Sequence, residues 1–125
     1  MISIKVLESA ENYLETILIM TKRNGSVRSI DIANELDYSK PSVSVAMKNL
    51  RESDCITVDE GGYIHLTQKG LGIAKMIYER HVIISEWLQS IGVDEKTAIE
   101  DACAIEHVIS ATSFEAFKKF INKDK

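Results

Sequence analysis

Residues 29–67, SIDIANELDYSKPSVSVAMKNLRESDCITVDEGGYIHLT, decide the fold because their hydrophobic period changes part-way along. In the first half, apolar residues recur every three or four positions. SIDIANEL reads as a short helix, with Ser29 offering an N-cap and Ile30, Ala33, Asn34 and Leu36 carrying it. DYSKP is a turn, and Pro41 suits the first turn of a second helix, where a missing N–H costs little. That helix runs from Ser39 to about Glu52, with Val43, Ala46, Met47 and Leu50 facing inward. The second half turns β-branched. CITVDEGGYIHLT gives two short runs about a Gly61–Gly62 turn, which predicts a β-hairpin.

Working outward, Leu7 to Thr21 predicts an amphipathic first helix. Ala10, Tyr13, Leu14, Ile17 and Thr21 fall on one side; Glu8, Glu11, Asn12 and Glu15 fall on the other. RNGS ends it, with Gly25 as the stop. Thr67 caps a long helix from about Gln68 to Ser90. Asp94 or Glu95 starts another through Val108, and Ser110 to Phe120 makes the last. Helix, short helix, turn, helix, hairpin is the order of a winged helix-turn-helix. The expected fold is therefore mainly α: a winged helix-turn-helix with a two-stranded β-wing over residues 1–70, then a helical half over 71–125. The helix from about Gln68 bridges the two, and the Ile91–Asp94 turn is the only seam the pattern offers between a front and a rear half.

Composition narrows the function. The 125 residues are 45% hydrophobic and 27% charged, a soluble, folded chain long enough for a real core. No apolar run approaches membrane-spanning length, and the start lacks the layout of a signal peptide, so a cytoplasmic protein is expected. In that compartment Cys55 and Cys103 are expected to be reduced thiols. The net charge of −4 excludes an indiscriminate nucleic-acid binder. Charge is nevertheless sorted. Between Thr21 and Arg51 stand Lys22, Arg23, Arg28, Lys40, Lys48 and Arg51 against Asp31, Glu35 and Asp37.

The expected DNA-reading helix turns Pro41, Val45 and Lys48 outward, flanked by Ser42 and Ser44. Val45 is placed to meet a thymine methyl, and Lys48, Ser42 and Ser44 to meet phosphates or base edges. With Arg28, Ser39 and Lys40 these are the candidate contacts to double-stranded DNA. The wing is read two ways. Asp59 and Glu60 at its tip would be repelled by phosphate, whereas Tyr63 and His65 could touch the backbone.

In DACAIEHVIS, residues 101–110, Cys103, Glu106 and His107 share one helix face at i, i+3 and i+4. They could hold a divalent cation, or be a buried thiol beside an ordinary pair. Nothing in the chain resembles a substrate-pocket signature, a phosphate-binding glycine loop or a Ser–His–acid order, so no enzyme and no small organic substrate is expected. A metalloenzyme using Glu106 as general base is accordingly set aside.

The stretches ENYLETI, SIDIANELDYSKPSVSVAMKNL, HLTQKG, ERHVIISEWL and DACAIEHVIS cover most of residues 8–110 in one order. They resemble the iron- and manganese-dependent repressors of the diphtheria toxin repressor family, particularly its short, manganese-sensing branch. The resemblance implies a homodimer that binds a palindromic operator when metal-loaded and controls metal-homeostasis genes, without the SH3-like third domain of longer members. It implies metal ligands at Glu15, His81, Cys103, Glu106 and His107. Asn12 stands where the branches place aspartate or methionine, and Ser85 and Ile99 replace two ancillary ligands of the iron branch. Cys103 is the iron branch's choice and Glu15 the manganese branch's, so Mn(II) and Fe(II) rank as near equals, with Zn(II) behind. The alternative is a metal-independent winged-helix regulator whose Cys, Glu and His are structural.

Overall fold

The computed structural model describes residues 4–123, with side chains from Ser9 onward, so Glu8 and its place on the first helix lie outside the described side chains. The elements run α1 (Ile4–Asn24), α2 (Ser29–Leu36), α3 (Lys40–Glu52), β1 (Ile56–Val58), β2 (Ile64–Leu66), α4 (Gln68–Ser90), α5 (Glu95–Val108) and α6 (Ala111–Lys123). They form two units, one through Lys75 and one from Met76, so the division falls inside α4 and the Ile91–Asp94 turn belongs wholly to the second. No helix among the described residues is long and apolar enough to cross a membrane.

In the first unit, Tyr13, Leu14, Ile17, Leu18 and Met20 of α1 pack with Ile32, Ala33, Val43, Met47, Leu50, Ile56 and Ile64. Two details depart from the sequence reading. Thr21 is exposed, and α1 runs on to Asn24, after which the Thr21 carbonyl accepts the N–H of Gly25 at φ 85°. In α2, Ile32 and Ala33 are buried and Ile30 is exposed. Ile30 and Ile32 lie about 200° apart on a helix, so only one can face the core.

The N-cap of α2 is Arg28, not Ser29. Arg28 is extended, its N–H donates to the Asp31 carboxylate at 2.9 Å, and its guanidinium lies 4.2 Å over the Tyr63 ring. A β-bridge joins Arg28 to Tyr63, and Ile64 N–H donates to Val27 O at 2.8 Å. Pairing with the wing thus holds Arg28 extended and makes it the cap, with Ser29 the first residue of the helix. Ser39 does cap α3, its Oγ accepting from Ser42 N–H, with Pro41 in the first turn.

The wing pairs β1 with β2 antiparallel, Ile56 opposite Leu66 and Val58 opposite Ile64. Asp59 ties its tip: Oδ1 accepts from Gly61 N–H and Tyr63 N–H, and Oδ2 accepts from His65 Nε2 at 3.0 Å. The bonds from His65 and Tyr63 hold the Asp59 carboxyl below its ordinary value of 3.8. A lowered folded-state pKa gives a contribution complete above the ordinary value and lost as pH falls through the lower one. Acid should therefore shift the Gly61 and Tyr63 amide resonances with a midpoint below 3.8. A midpoint at or above 3.8 would contradict this role for Asp59.

At the start of α4, Thr67 Oγ1 accepts from Gly70 N–H and donates to Asp54 O. The second unit has a smaller core of Ile84, Ala102 and Phe114, bordered by Ile83, Leu88, Ile105, Ile109 and Phe117. Trp87 meets Phe117 edge-on at 5.1 Å. Asp94 caps α5 by accepting from Thr97 N–H, and Ser110 Oγ accepts from Ser113 N–H at the start of α6. Neither Cys55 nor Cys103 is in a disulfide.

Candidate metal centre and DNA-reading face

The second unit brings four of the expected ligands together from two helices. On α5, capped by Asp94, Cys103, Glu106 and His107 occupy one face, and a donor atom from each lies within 4.8 Å of the others. From α4, His81 Nδ1 lies 2.9 Å from Glu106 Oε2. His107 Nε2 is 3.4 Å from Glu106 Oε1. Glu106 is 0% exposed, a carboxylate between two imidazoles. Carboxylates are rarely buried unless paired or coordinating a cation, because leaving water is costly. No hydrogen bond reaches Glu106 Oε1 among the described residues. An oxygen of that kind, beside a thiol and imidazole nitrogens, fits a divalent transition metal. Cys103 is exposed, at the solvent side of the group.

Glu15 and Asn12 belong to α1 of the first unit, Glu15 buried and Asn12 half-buried, the Asn12 carbonyl accepting from Thr16 Oγ1. Ser85 is buried and donates to Val82 O, and Ile99 is exposed. His65 lies in the wing, bonded to Asp59.

The α3 face is as the periodicity required. Val45 is 59% exposed, and Pro41, Ser42, Ser44 and Lys48 are exposed around it. Lys40 and Ser44 line a hollow with Ser29 and Ile30, while Lys48, Arg51 and Glu52 line another. Two acids of this segment are engaged: Asp31 by Arg28 N–H, and Glu35 by Arg23 at 2.8 Å. The remaining basic side chains of α3 face solvent. Sequence reasoning missed the stacking of Arg28 on Tyr63, which joins the reading unit to the wing. The signal lay in Val27, a β-branched residue between the Gly25 stop and α2.

The two units together have the make-up of a metal-responsive DNA-binding regulator. Residues 5–70 match the model of the iron dependent repressor N-terminal DNA binding domain, and residues 67–125 that of the iron dependent repressor metal binding and dimerisation domain. The chain belongs to the iron-dependent repressor family, whose members are transcriptional repressors and not enzymes. It is 34% identical over 120 residues to an HTH-type transcriptional regulator of Methanocaldococcus jannaschii, covering 94% of this chain and 96% of that one. It is 31% identical over 116 residues to the transcriptional regulator MntR of Escherichia coli O6:H1, covering 93% of this chain and 75% of MntR. The structure of the manganese regulator SloR superposes with a TM-score of 0.80 at 29% identity, over 90% of this chain. The chain spans about half of SloR, 53% of its length.

Proposed function

We propose that this protein is a repressor that binds a palindromic operator as a homodimer when loaded with Mn(II) or Fe(II), and so controls metal-homeostasis genes. The observation that carries the reading is Glu106: a fully buried carboxylate flanked by His81 and His107, with the Cys103 donor beside it. Among the described residues Glu106 Oε1 accepts no hydrogen bond and meets His107 Nε2 at 3.4 Å, an arrangement that a bound cation would complete. His81, Cys103, Glu106 and His107 would hold the ion, joined by Glu15 and, as a weak neutral ligand, Asn12. A divalent cation there supplies the positive charge that these acids lack. A bound ion would also lower the negative charge facing phosphate.

The test is operator binding by the apo-protein titrated anaerobically with Mn(II), Fe(II) and Zn(II). Manganese or iron should promote binding at lower free concentration than zinc. Full binding in the presence of a chelator would instead support the metal-independent regulator.

Readout should divide between two residues of α3. Lys48→Ala is expected to weaken all duplexes about equally and to flatten the salt dependence by about 1 unit of slope, as for one lost phosphate contact. Val45→Ser should lower discrimination at a thymine position while leaving the salt slope unchanged. Affinity profiles over single-base operator variants measure both. Profiles identical to the parent would remove α3 from this role.

A further inference from the structure

The metal centre accounts for His81 but not for the buried arginine preceding it. Arg80 is 6% exposed, and its Nη1 donates to Glu106 O at 3.0 Å and to Ile109 O at 2.9 Å. α5 ends at Val108 with Ile109 as its C-cap, so the Glu106 carbonyl is among those left without a helical N–H partner. The guanidinium also faces the Phe114 ring of α6 at 5.5 Å. A cation at a helix C-terminus is favoured by the macrodipole, and here it comes from the turn of α4 that carries His81.

We propose that Arg80 is a positioning residue for the metal centre. By holding the last turn of α5 against α4, it sets the register in which His81 Nδ1 meets Glu106 Oε2, and so the direction in which Glu106, His107 and Cys103 present their donors. It acts through the Glu106 and Ile109 backbone and is not itself a ligand. The inference rests on the metal reading of the cluster.

Two effects of Arg80 on metal affinity have opposite signs. Its positive charge repels an incoming cation, so loss of charge alone would tighten binding. Loss of positioning would weaken it, by roughly 10–100-fold for groups that orient metal ligands. The sign decides between them.

The experiment is Mn(II) calorimetry with Co(II) absorption on the full-length parent, Arg80→Gln, Arg80→Lys and Glu106→Gln, with helix content checked by circular dichroism. Folded Arg80→Gln should bind Mn(II) roughly 10–100-fold more weakly, with an altered Co(II) band. Arg80→Lys, keeping charge and donors on a stem of different length, should fall in between. Parent-like or tighter binding by folded Arg80→Gln would overturn the proposal. Should that variant not fold, Arg80→Lys decides: a weaker Kd with an altered band supports the proposal, and parent-like values for both overturn it. Glu106→Gln separates the two levels. If it binds as the parent does, the metal reading fails; if it alone loses binding, only the role of Arg80 fails.

Discussion

Glu106→Gln is expected to abolish the metal response while leaving the apo-protein as stable as the parent, or more so. The substitution keeps the volume of a side chain that is 0% exposed and removes its charge. In the apo-protein that charge is costly, since a buried carboxylate forfeits its hydration. In the metal-bound protein the same charge is the strongest attraction the cluster offers. Loss of a group that merely orients a ligand costs roughly 10–100-fold in metal affinity, and loss of the central carboxylate should exceed that. The two effects have opposite signs, which separates lost ligation from misfolding. Calorimetry with Mn(II) and a thermal melt without metal measure them. Parent-like Mn(II) affinity, or collapse of the apo melt, would contradict the assignment.

Gly70→Ala should destabilise the winged unit severely, although alanine is ordinarily the better helix former by about 1 kcal/mol. A Cβ at Gly70 would run into the Cys55 carbonyl oxygen and lie 2.9 Å from the carbonyl carbon. That carbonyl is backbone, fixed by accepting from Thr67 N–H, and Gly70 N–H is bound to Thr67 Oγ1. Neither side can yield without opening the junction between the wing and α4. Overpacking of this kind costs on the order of 3 kcal/mol, more than the propensity gain. Gly72, two residues on in the same helix, is the control: nothing lies within 4 Å of its Cβ position. Gly72→Ala should stabilise by about 0.5–1 kcal/mol. Urea melts of the three proteins read the contrast. Equal midpoints for Gly70→Ala and the parent would show that the close approach at Cys55 does not constrain the fold.

What the sequence made legible were features set locally. The change of period at residue 55, the Pro41 first turn, the α5 start at Asp94 or Glu95, the Gly25 stop and the Gly61–Gly62 turn follow from neighbours a few residues apart. The i, i+3, i+4 spacing likewise placed Cys103, Glu106 and His107 on one face. What was not legible depends on residues far apart in the chain. Ser29 looked like the cap of α2, but pairing with Tyr63 makes Arg28 the cap. Periodicity alone could not choose between Ile30 and Ile32. Asp59 looked like an exposed acid facing phosphate, and its oxygens in fact tie the wing turn. The sequence offered Glu106 as a candidate metal ligand, with a plain Glu–His pair as the alternative, and gave no sign of its burial. Its complete burial depends on α4 packing over α5, with His81 25 positions away. Arg80 gave no local signal at all.

The central claim is that metal and operator are linked through one protein. Linkage makes the effect reciprocal: if metal tightens DNA binding by some factor, DNA must tighten metal binding by the same factor. The direct test is the Mn(II) affinity of the protein alone and of its complex with a palindromic duplex, selected from a random pool in the presence of Mn(II). The account predicts tighter Mn(II) binding in the complex, by roughly 5–150-fold, matching the gain in DNA affinity on adding metal. An Mn(II) affinity unchanged by the duplex would contradict it.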